Sequence, residues 1–460
     1  MTDTSFNTLP LSATIQSNLD SLGYIEMTPV QADALPLILS RRDVIGQSET
    51  GSGKTVAFAL GILNRLRTDE LTLQALTLCP TRELATQVAE ETRRLARTIN
   101  NVKVTVLCGG TPIRHQLDSL RHGTHIAIGT PGRVADHLRR ESIDLQRLNT
   151  FVLDEADRML DMGFQEEIEF IASHLPDDRQ TLLFSATFPN EIKSISSKLL
   201  SNPTHIRTVS AATTPNIEQI FYRTTEDRRL YALTGLIARE QPKSCLVFCQ
   251  TRQQSKDVYL ALLHKGYSAL ALHGEMEQRD RDEALVRFAN GSATILVATD
   301  VAARGLDINQ LQLVINYQLP NDPDNYIHRV GRTGRAGHNG RALSLVTEHE
   351  RARADLIADM MQQPISFATL PDHDPAVTAA KPASMVTILI QGGKKQKLRP
   401  GDILGALTGG KTIEGRHVGK INSSANHTYV AVERNIATSA LQILRSNKIK
   451  GKSFRARIID

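Results

Sequence analysis

The sequence predicts an α/β protein in which two parallel-sheet domains precede a small basic α+β domain. Three observations lead to this prediction. The chain has 460 residues, which is more than one ordinary domain contains. Short apolar runs alternate with amphipathic helical segments in two successive series. Basic residues are concentrated beyond residue 380, where the alternation has ended.

The first series predicts a sheet within residues 1–209. Its apolar runs are DVIG, LTLCP, VTVLCGG, HIAIGTP, TFVLDEAD and TLLFSAT. Runs that are apolar throughout indicate strands buried on both faces, and intervening helices such as RELATQVAEETRRLA at 82–96 make the strands parallel. We therefore expect a doubly wound α/β domain.

The second series predicts another α/β domain over residues 217–362. Its runs are CLVFCQT, ALALHGE, TILVATD, LVINYQL and ALSLVTE, and the Ser/Thr-rich stretch 210–216 separates it from the first series. A Pro/Ala-rich tether at 370–384 follows. Because parallel sheets bind ligands at the carboxyl ends of their strands, the polar clusters after these runs should meet at one edge of each sheet.

The charge of the chain is unevenly distributed. Residues 381–460 contain 15 Lys and Arg against 4 Asp and Glu, a net charge of +11, whereas the rest of the chain has 39 against 45, a net charge of −6. This concentration is typical of a nucleic-acid-binding module, which we place at residues 384–460. The alternative is a solvated basic face without a partner.

Targeting signals and metal motifs are not apparent. No apolar run approaches the length of about 18 residues that a membrane span needs, and the start of the chain lacks a signal peptide, so we expect a cytoplasmic protein. Each cysteine lies in a strand-like run, where a buried thiol is expected rather than a zinc ligand. The four are Cys79, Cys108, Cys245 and Cys249.

The stretch SETGSGKT at 48–55 follows a predicted strand and precedes a predicted helix, which is the setting of a P-loop. Its glycines let backbone N–H groups curl around phosphate, Lys54 reaches the β and γ phosphates, and the Thr55 hydroxyl ligates Mg²⁺. Ser48 stands where the motif usually has glycine. The pattern predicts a nucleotide-binding site.

Three carboxylates crowd the end of the run FVLDEADRML at 151–160. With a P-loop upstream, Asp154 is expected to hold Mg²⁺, partly through water, and Glu155 to deprotonate the attacking water. A divalent cation would offset the repulsion among Asp154, Glu155 and Asp157. Taken alone, the pair Asp154 and Glu155 would be better interpreted as a solvated turn, but the P-loop upstream favours a catalytic site.

With D-E-A-D spelled out behind a P-loop, the first 360 or so residues resemble the DEAD-box ATP-dependent RNA helicases. The resemblance implies two RecA-like domains, and ATP and Mg²⁺ as cofactors. In GYIEMTPVQ at 23–31, Gln31 would hydrogen-bond adenine and Phe6 would stack on it, although Met27 replaces a usual proline. The implied ATP-binding residues are Phe6, Tyr24, Gln31, Ser48, Glu49, Thr50, Gly51, Ser52, Gly53, Lys54, Thr55 and Asp307.

The same resemblance implies RNA contacts in the motifs PTRELA, GG, TPGR, HGEMEQRDRD and ATDVAARGLDI. Hydroxyl, guanidinium and glycine groups suit a phosphate backbone and read no bases. Arg82 could instead be a salt-bridge partner on a helix. The implied residues are Thr81, Arg82, Gly109, Gly110, Thr130, Arg133, Gln278, Arg281, Thr299 and Arg304.

Two further groups follow from the resemblance. Arg332 and Arg335 in HRVGRTGRAG resemble arginine fingers that reach the γ-phosphate, for which a basic loop on RNA is the alternative at Arg329 or Arg335. The residues implied in coupling ATP binding to RNA binding are Ser185, Thr187, Asp157 and His328.

The basic module reads in the order β-α-β-β-α-β, as in RNA-recognition folds. Its only aromatic residues are Tyr429 and Phe454, so base stacking is doubtful and basic loops should carry the binding. The basic residues concerned are Lys394, Lys395, Lys397, Arg399, Lys448, Lys450 and Lys452. The segments GGKKQKLRPGDILGAL and VGKINSSANHTYVAV resemble the tail of the DbpA subfamily, which implies anchoring on large-subunit ribosomal RNA during ribosome assembly.

These predictions describe an RNA-stimulated ATPase that locally unwinds or remodels short RNA duplexes. Its expected substrate is 23S-type ribosomal RNA in a pre-ribosomal particle during assembly of the large ribosomal subunit, and we expect it to act as a monomer. Two other functions stay open. One is an ATP-gated clamp on another structured RNA, and the other is a DNA translocase. Intact Glu155, Arg332 and Arg335 favour turnover over a static clamp.

Overall fold

The computed structural model describes residues 4–48, 51–208, 217–303, 311–334, 340–370, 380–410 and 412–459. The linker 210–216 and most of the predicted tether lie outside these ranges. So do five predicted site residues, namely Glu49, Thr50, Arg304, Asp307 and Arg335.

Residues 4–208, the first α/β unit, form a parallel sheet of seven strands in the order β3-β4-β2-β5-β6-β1-β7. The strands are β1 Val44–Gln47, β2 Ala75–Leu78, β3 Val104–Leu107, β4 Ile126–Gly129, β5 Thr150–Asp154, β6 Gln180–Ser185 and β7 Thr204–Arg207. The helices are α1 Ala13–Leu22, α2 Pro29–Leu39, α3 Lys54–Arg65, α4 Arg82–Leu95, α5 Ile113–Arg121, α6 Pro131–Arg139, α7 Ala156–Asp161, α8 Gln165–Ala172 and α9 Asn190–Leu199.

The predicted strands of this unit are confirmed, because each of the six apolar runs overlaps one of the strands β1–β6. Central strands are apolar throughout because helices pack on both faces; all five residues of β5 are buried. Strand β7 was not predicted from the sequence, because it has no continuous apolar run. Only Ile206 of its four residues is buried, as expected of an edge strand.

Residues 217–370, the second α/β unit, repeat the architecture with a parallel sheet in the order β10-β11-β9-β12-β13-β8-β14. The strands are β8 Ile217–Arg223, β9 Cys245–Cys249, β10 Ala269–Leu272, β11 Ile295–Thr299, β12 Leu313–Asn316, β13 Gly340–Val346 and β14 Phe367–Ala368. The helices are α10 Arg229–Glu240, α11 Arg252–His264, α12 Gln278–Ala289, α13 Asp300–Ala303, α14 Pro323–Val330 and α15 Arg351–Met361.

The five predicted strands correspond to β9–β13, and the sequence did not reveal β8 and β14. Most of β8 is only partly buried or exposed, with Phe221 and Tyr222 as its buried residues, so it lacks a continuous apolar run. All four cysteines are buried and free, as expected. Among the described helices, none combines the length and apolarity needed to cross a membrane.

The small C-terminal unit, residues 380–459, has an antiparallel sheet in the order β16-β17-β15-β18 with two helices on one face. Its elements are β15 Met385–Ile390, α16 Pro400–Thr408, β16 Val418–Ser423, β17 Thr428–Glu433, α17 Ala437–Ser446 and β18 Ala456–Ile459. The predicted β-α-β-β-α-β order is therefore confirmed. Alternate residues of β15, among them Val386, Ile388 and Ile390, form the core with the helices.

We expect Gly61→Ala to destabilise the first α/β unit by about 1–3 kcal/mol. Gly61 lies in α3 where that helix packs on α2, and a Cβ there would overlap Cγ2 of the buried, β-branched Ile38. The matched control is Gly405→Ala in α16, where a Cβ meets nothing within 4 Å. Urea unfolding of both variants would show a loss for Gly61→Ala and none for Gly405→Ala; equal effects would contradict the packing argument.

Candidate functional site

The predicted site residues of the first α/β unit fall into two groups along one edge of its sheet. The nucleotide-binding motifs follow β1, β5 and β6, which are adjacent strands, and the predicted RNA motifs follow β2, β3 and β4, which are also adjacent. All strands are parallel, so their carboxyl ends share an edge. The expected convergence within the sheet is confirmed.

The P-loop between β1 and α3 is folded around its lysine. Gly51 and Gly53 have positive φ angles of 85° and 97°, a conformation that side chains disfavour. Lys54 is 5 % exposed and its Nζ donates to the Ser48 carbonyl at 3.0 Å. The Ser48 and Ser52 hydroxyls lie 3.0 Å apart, so Ser48 contributes a polar group where the motif usually has glycine. The loop holds an ammonium group and a helix N-terminus beside each other, as phosphate binding requires.

The segment before α2 is attached to the P-loop. Gln31 Nε2 donates to the Gly53 carbonyl at 3.0 Å, and the Thr28 hydroxyl donates to the Ser52 carbonyl at 2.7 Å. Sequence reasoning missed Thr28, although its place before Pro29 in a capping box with Gln31 was a usable signal. Gln31 therefore links the predicted adenine-binding segment to the phosphate loop. The hydrogen bond between Gln31 and adenine stays a prediction.

Phe6 is fully buried in the core of the first unit. Its ring packs edge-on against that of Tyr24, and the two ring centroids are 6.1 Å apart. A base could contact the Phe6 ring only after a neighbouring group moved, so adenine stacking stays a prediction. The Tyr24 hydroxyl donates to Glu91 at 2.8 Å, and burial followed by this carboxylate raises the Tyr24 pKa.

Asp154, at the end of β5, is 3 % exposed, and its Oδ1 has no hydrogen-bond partner among the described residues. Burial, opposed by the charge of Lys54 and assisted by that of nearby Glu155, raises the pKa of Asp154 to about 7. A buried oxygen without a partner is costly unless something else satisfies it. The arrangement fits a divalent cation, which would bind this oxygen and favour the ionised form.

Glu155 has a left-handed backbone conformation with φ of 56°, which turns the chain sharply from β5 into α7. Its carboxylate is 2.7 Å from the guanidinium of Arg158, and both side chains are buried. Sequence reasoning missed Arg158. The spacing of three residues on a helical turn was the signal that could have found it.

Asp157 joins the loops after β5 and β6. Its Oδ2 accepts hydrogen bonds from the backbone N–H groups of Ala186 and Thr187 at 3.1 and 2.8 Å and from the Thr187 hydroxyl at 3.0 Å. The Ser185 hydroxyl accepts the Asp157 N–H at 3.3 Å. Burial alone raises the Asp157 pKa, but these bonds from Thr187 outweigh it and the pKa is lowered. The structure thus brings together three of the four predicted coupling residues.

The predicted RNA group of the first unit lies around Arg82. Its guanidinium packs over two glycines, and a Cβ at Gly110 would overlap Nη1 while one at Gly109 would lie 3.1 Å from Nη2. The guanidinium leaves no room for a side chain at Gly110 and little at Gly109, which explains why both residues are glycine. Thr81 caps α4 by accepting the Leu84 N–H at 3.3 Å.

The third strand of that group, β4, ends at Thr130, which is 9 % exposed and precedes α6. Arg133 on α6 donates to the Thr111 carbonyl at 3.4 Å, so α6 is tied to the loop that carries the glycine pair. The six predicted RNA-contacting residues that follow β2, β3 and β4 therefore lie around one patch, and their contacts with RNA stay predictions.

The predicted RNA residues of the second α/β unit follow β10 and β11, which are adjacent. Arg281 on α12 donates to the His273 carbonyl at 3.3 Å and to the Ala302 carbonyl at 3.4 Å, which joins the loops after both strands. Thr299 ends β11. Gln278 begins α12 and donates to Asp282 at 2.9 Å.

Helix α14 carries His328, and Arg332 follows it, 3 % exposed. The alternative that Arg329 contacts RNA phosphates is wrong. Arg329 is 1 % exposed, its Nε lies 2.6 Å from Asp300, and its Nη1 donates to Asn316 at 3.0 Å. It ties α14 to the ends of β11 and β12.

A second buried arginine network was not found from the sequence. Arg229 at the start of α10 is 1 % exposed and lies 2.7 Å from Glu350 and 2.9 Å from Glu226. Glu350 also accepts the N–H groups of Leu319 and Thr347, both at 3.1 Å. This network fixes the ends of β12 and β13. No short sequence motif predicts it, because Arg229 and Glu350 are distant in the sequence.

The basic residues of the small unit form one surface, which we call the basic loops and define as residues 394–399 and 448–452. Lys450 Nζ donates to the Lys397 carbonyl at 3.3 Å and lies 2.9 Å from Asp402, which holds the two loops together. All seven predicted basic side chains are exposed. Phe454 packs against Gly392 beside them.

The other face of the small sheet is covered by the second α/β unit. The Thr387 hydroxyl, fully buried, is 2.9 Å from Asn290 Nδ2 and 2.6 Å from the Ser292 hydroxyl. Leu389, Tyr429 and Ile459 pack against Val286 of α12. Tyr429 is 7 % exposed, so it offers no ring face to a base in this arrangement. The sequence-based doubt about base stacking therefore has a structural reason.

The fold and the site define a class of protein, a P-loop ATPase built from two parallel-sheet units with an appended RNA-binding fold. Three family profiles match the chain: the DEAD/DEAH box helicase over residues 28–195, the helicase conserved C-terminal domain over 228–337, and the DbpA RNA binding domain over 387–458. The chain belongs to the DEAD-box ATP-dependent RNA helicases of the DbpA subfamily. It is an ATP-hydrolysing RNA helicase.

Similar proteins cover the chain almost completely. It is 50 % identical to the ATP-dependent RNA helicase DbpA of Escherichia coli (strain K12) over 457 residues, 99 % of this chain and 100 % of the relative. It is 36 % identical to that of Bacillus subtilis (strain 168), with 98 % of both chains covered. Among solved structures, S. cerevisiae Dbp5 bound to RNA and ADP BeF3 matches with a TM-score of 0.73 and 30 % identity, over 80 % of this chain and 96 % of that one.

We expect Asp154→Asn to stabilise the protein at about pH 8 without nucleotide or divalent metal, by on the order of 2–4 kcal/mol. A carboxyl whose pKa is raised by folding is favourable below its unfolded pKa of about 3.9, and this advantage is lost as the pH rises towards its folded pKa of about 7. The gain from asparagine should therefore grow between about pH 4 and pH 7.

Thermal unfolding across this pH range measures the effect, with Asp178→Asn at an exposed position as the control. A gain that is the same at both ends of the range would show that ionisation of Asp154 is not its cause.

Proposed function

We propose that this helicase acts on 23S-type ribosomal RNA during assembly of the large ribosomal subunit, working as a monomer in the cytoplasm. The observation that carries the proposal is the surface of the basic loops, which combines exposed lysines on two joined segments with a net charge of +11 for residues 381–460. The match of this unit to the DbpA RNA binding domain supports it.

The basic loops, rather than the sheet, are the proposed binding surface. In RNA-recognition folds, aromatic side chains on the sheet stack on bases. Here the sheet face holds Thr387 and Tyr429 against α12, whereas the loops are exposed. Lysines that contact phosphates and groove edges select a folded RNA by its shape.

For ATP hydrolysis we propose that Lys54 holds the phosphates and that Glu155 takes the proton from the attacking water. The water oxygen bonds to the γ-phosphorus as the bond to the leaving ADP oxygen breaks. The guanidinium of Arg158 lies 2.7 Å from the Glu155 carboxylate and would orient it towards the water. Arg332 and Arg335 are proposed to contact the γ-phosphate.

The residues proposed to hold Mg²⁺ are Asp154 and Thr55. The unpartnered Oδ1 of Asp154 and the position of Thr55 in the first turn of α3 fit that role. The cation would neutralise phosphate charge.

We further propose that the RNA strand contacts the strand-end loops after β2–β4 and β10–β11 through its backbone. The groups there are guanidinium, hydroxyl and glycine N–H groups, which bind phosphates without reading sequence. Selectivity would then come from the basic loops. An ATP-gated clamp remains the second candidate, and turnover distinguishes it from an unwinding enzyme.

We expect Glu155→Gln to abolish ATP turnover, by on the order of 10²–10⁴-fold, while ATP and RNA binding persist. The amide occupies the same space but cannot accept the proton. Steady-state hydrolysis and equilibrium binding of ATP measure the two properties separately. Asp178→Asn is the control, and hydrolysis at the normal rate by Glu155→Gln would remove this residue as the base.

We expect replacing Lys394, Lys395, Lys448 and Lys452 by alanine to remove the preference for ribosomal over unrelated RNA while basal RNA-stimulated ATPase remains. Affinity should also become less dependent on salt, since each phosphate contact contributes about 0.7 to the log–log slope. ATPase activation by both RNAs at several salt concentrations measures this.

The matched control changes Arg416 and Lys420 to alanine, which are exposed basic residues elsewhere on the same unit. Selectivity that survives loss of the four lysines, or that falls equally in the control, would contradict the proposed surface.

A further inference from the structure

A pocket of about 720 Å³ on the second α/β unit has no role in the functions proposed above. It lies where β8 ends and α10 begins, beside α15 and β14. Three arginines and two aromatic rings line it, and we call this set the arginine pocket: Arg223, Arg228, Tyr231, Arg351 and Phe367. Concave sites lined by several guanidinium groups attract anions.

The guanidinium groups are held by aromatic rings. The Cζ atoms of Arg223 and Arg351 lie 4.8 and 4.7 Å from the Phe367 ring centroid. The Cζ atom of Arg228 lies 5.8 Å from the ring centroid of Tyr231. Stacking fixes a guanidinium plane while leaving its N–H groups able to donate to a ligand. The pocket is therefore preorganised for an anion.

Two of the three arginines of the pocket are not engaged in a salt bridge within the described residues. Among the described residues, Arg223 and Arg228 form no salt bridge, while Arg351 lies 3.4 Å from the exposed Asp355. Glu226, at the rim, lies 2.9 Å from the buried Arg229. The remaining acids nearby are Asp227 and Glu348, both exposed.

The arginine pocket lies on the edge of the sheet that carries the proposed RNA loops. It is at the carboxyl ends of β8 and β14, and the sheet is parallel throughout, so the loops after β9, β10 and β11 are on the same edge. Strands β13, β12 and β9 separate β8 from β11, the nearer of the two strands that lead into the proposed RNA loops, which at strand spacings near 4.8 Å is a distance of roughly 19 Å. A few nucleotides of single strand can cover this distance.

We propose that the arginine pocket binds the backbone of single-stranded RNA that extends beyond the strand-end loops. The three arginines contact phosphates, and the ring of Tyr231, 39 % exposed, provides a face for a base. Such a site accepts any sequence, because phosphates and ring faces are common to all nucleotides. The proposal rests on the proposed RNA contacts of α12 and of the loop after β11.

The test compares RNA binding by the full chain, in the presence of a non-hydrolysable ATP analogue, for one structured RNA with and without an oligouridine extension. Extensions are placed at the 5′ or the 3′ end. We expect an extension at one of the two ends to tighten binding by roughly tenfold, as one or two charge-assisted hydrogen bonds would.

The pocket variant is Arg223→Gln with Arg351→Gln, which removes both guanidinium charges while leaving a polar side chain at each position. It should bind the unextended RNA like the wild type and lose the gain from the extension, with a smaller salt dependence. The matched control is Arg139→Gln, because Arg139 is also exposed and lies 4.8 Å from an aromatic ring, that of Phe170, in the first unit. Unchanged melting temperatures would establish that the variants are folded.

Two results would overturn the proposal. One is that neither extension tightens binding by the wild type. The other is that the pocket variant keeps the gain. Failure of the proposed function would give a different result from failure of the pocket proposal. It would appear as absent ATPase stimulation by ribosomal RNA without an extension.

Discussion

Asp157 accepts three hydrogen bonds from the chain at Ala186 and Thr187, and this contact fixes the ends of two neighbouring strands relative to each other. The position of β5 gives the contact its importance. β5 lies between β2, which leads into the predicted RNA group, and β6, which adjoins the P-loop strand β1. A displacement at the end of β5 would therefore reach both groups. We propose that ATP and RNA binding are coupled here.

The same strand end is built at a cost in stability. Asp154 keeps a buried carboxylate oxygen without a hydrogen-bond partner among the described residues, and Glu155 adopts a left-handed conformation that other residues than glycine seldom take. The pairing of Arg158 with Glu155 offsets part of the charge. Ligands that bind such a site relieve these penalties, and this differential stabilisation is what can drive a change between conformations.

Much of the fold followed from the sequence, because strands that are buried on both faces leave continuous apolar runs. Strands β7, β8 and β14 left none. β7 and β14 lie at sheet edges, and β8 is next to the edge and covered on that side only by the two residues of β14, so most of their side chains are not buried. Local motifs located the P-loop and Asp154, and the three-residue spacing from Glu155 could have located Arg158. Arg329 and the covered Tyr429 instead depend on contacts between distant segments. The partner of Tyr429 lies on α12, more than a hundred residues earlier, and no spacing rule identifies it. Sequence patterns therefore predict which strand ends bind, and packing decides which side chains remain available.

The most direct test of this account measures how many-fold a non-hydrolysable ATP analogue tightens RNA binding by the full chain. Thr187→Val removes the 3.0 Å hydroxyl bond to Asp157, and Thr77→Val is the control because that buried hydroxyl has no hydrogen-bond partner among the described residues. Coupling of this kind is typically about 5–150-fold. The account predicts that coupling falls several-fold in Thr187→Val and is retained in Thr77→Val. Full coupling in Thr187→Val, with both ligands still bound, would contradict it.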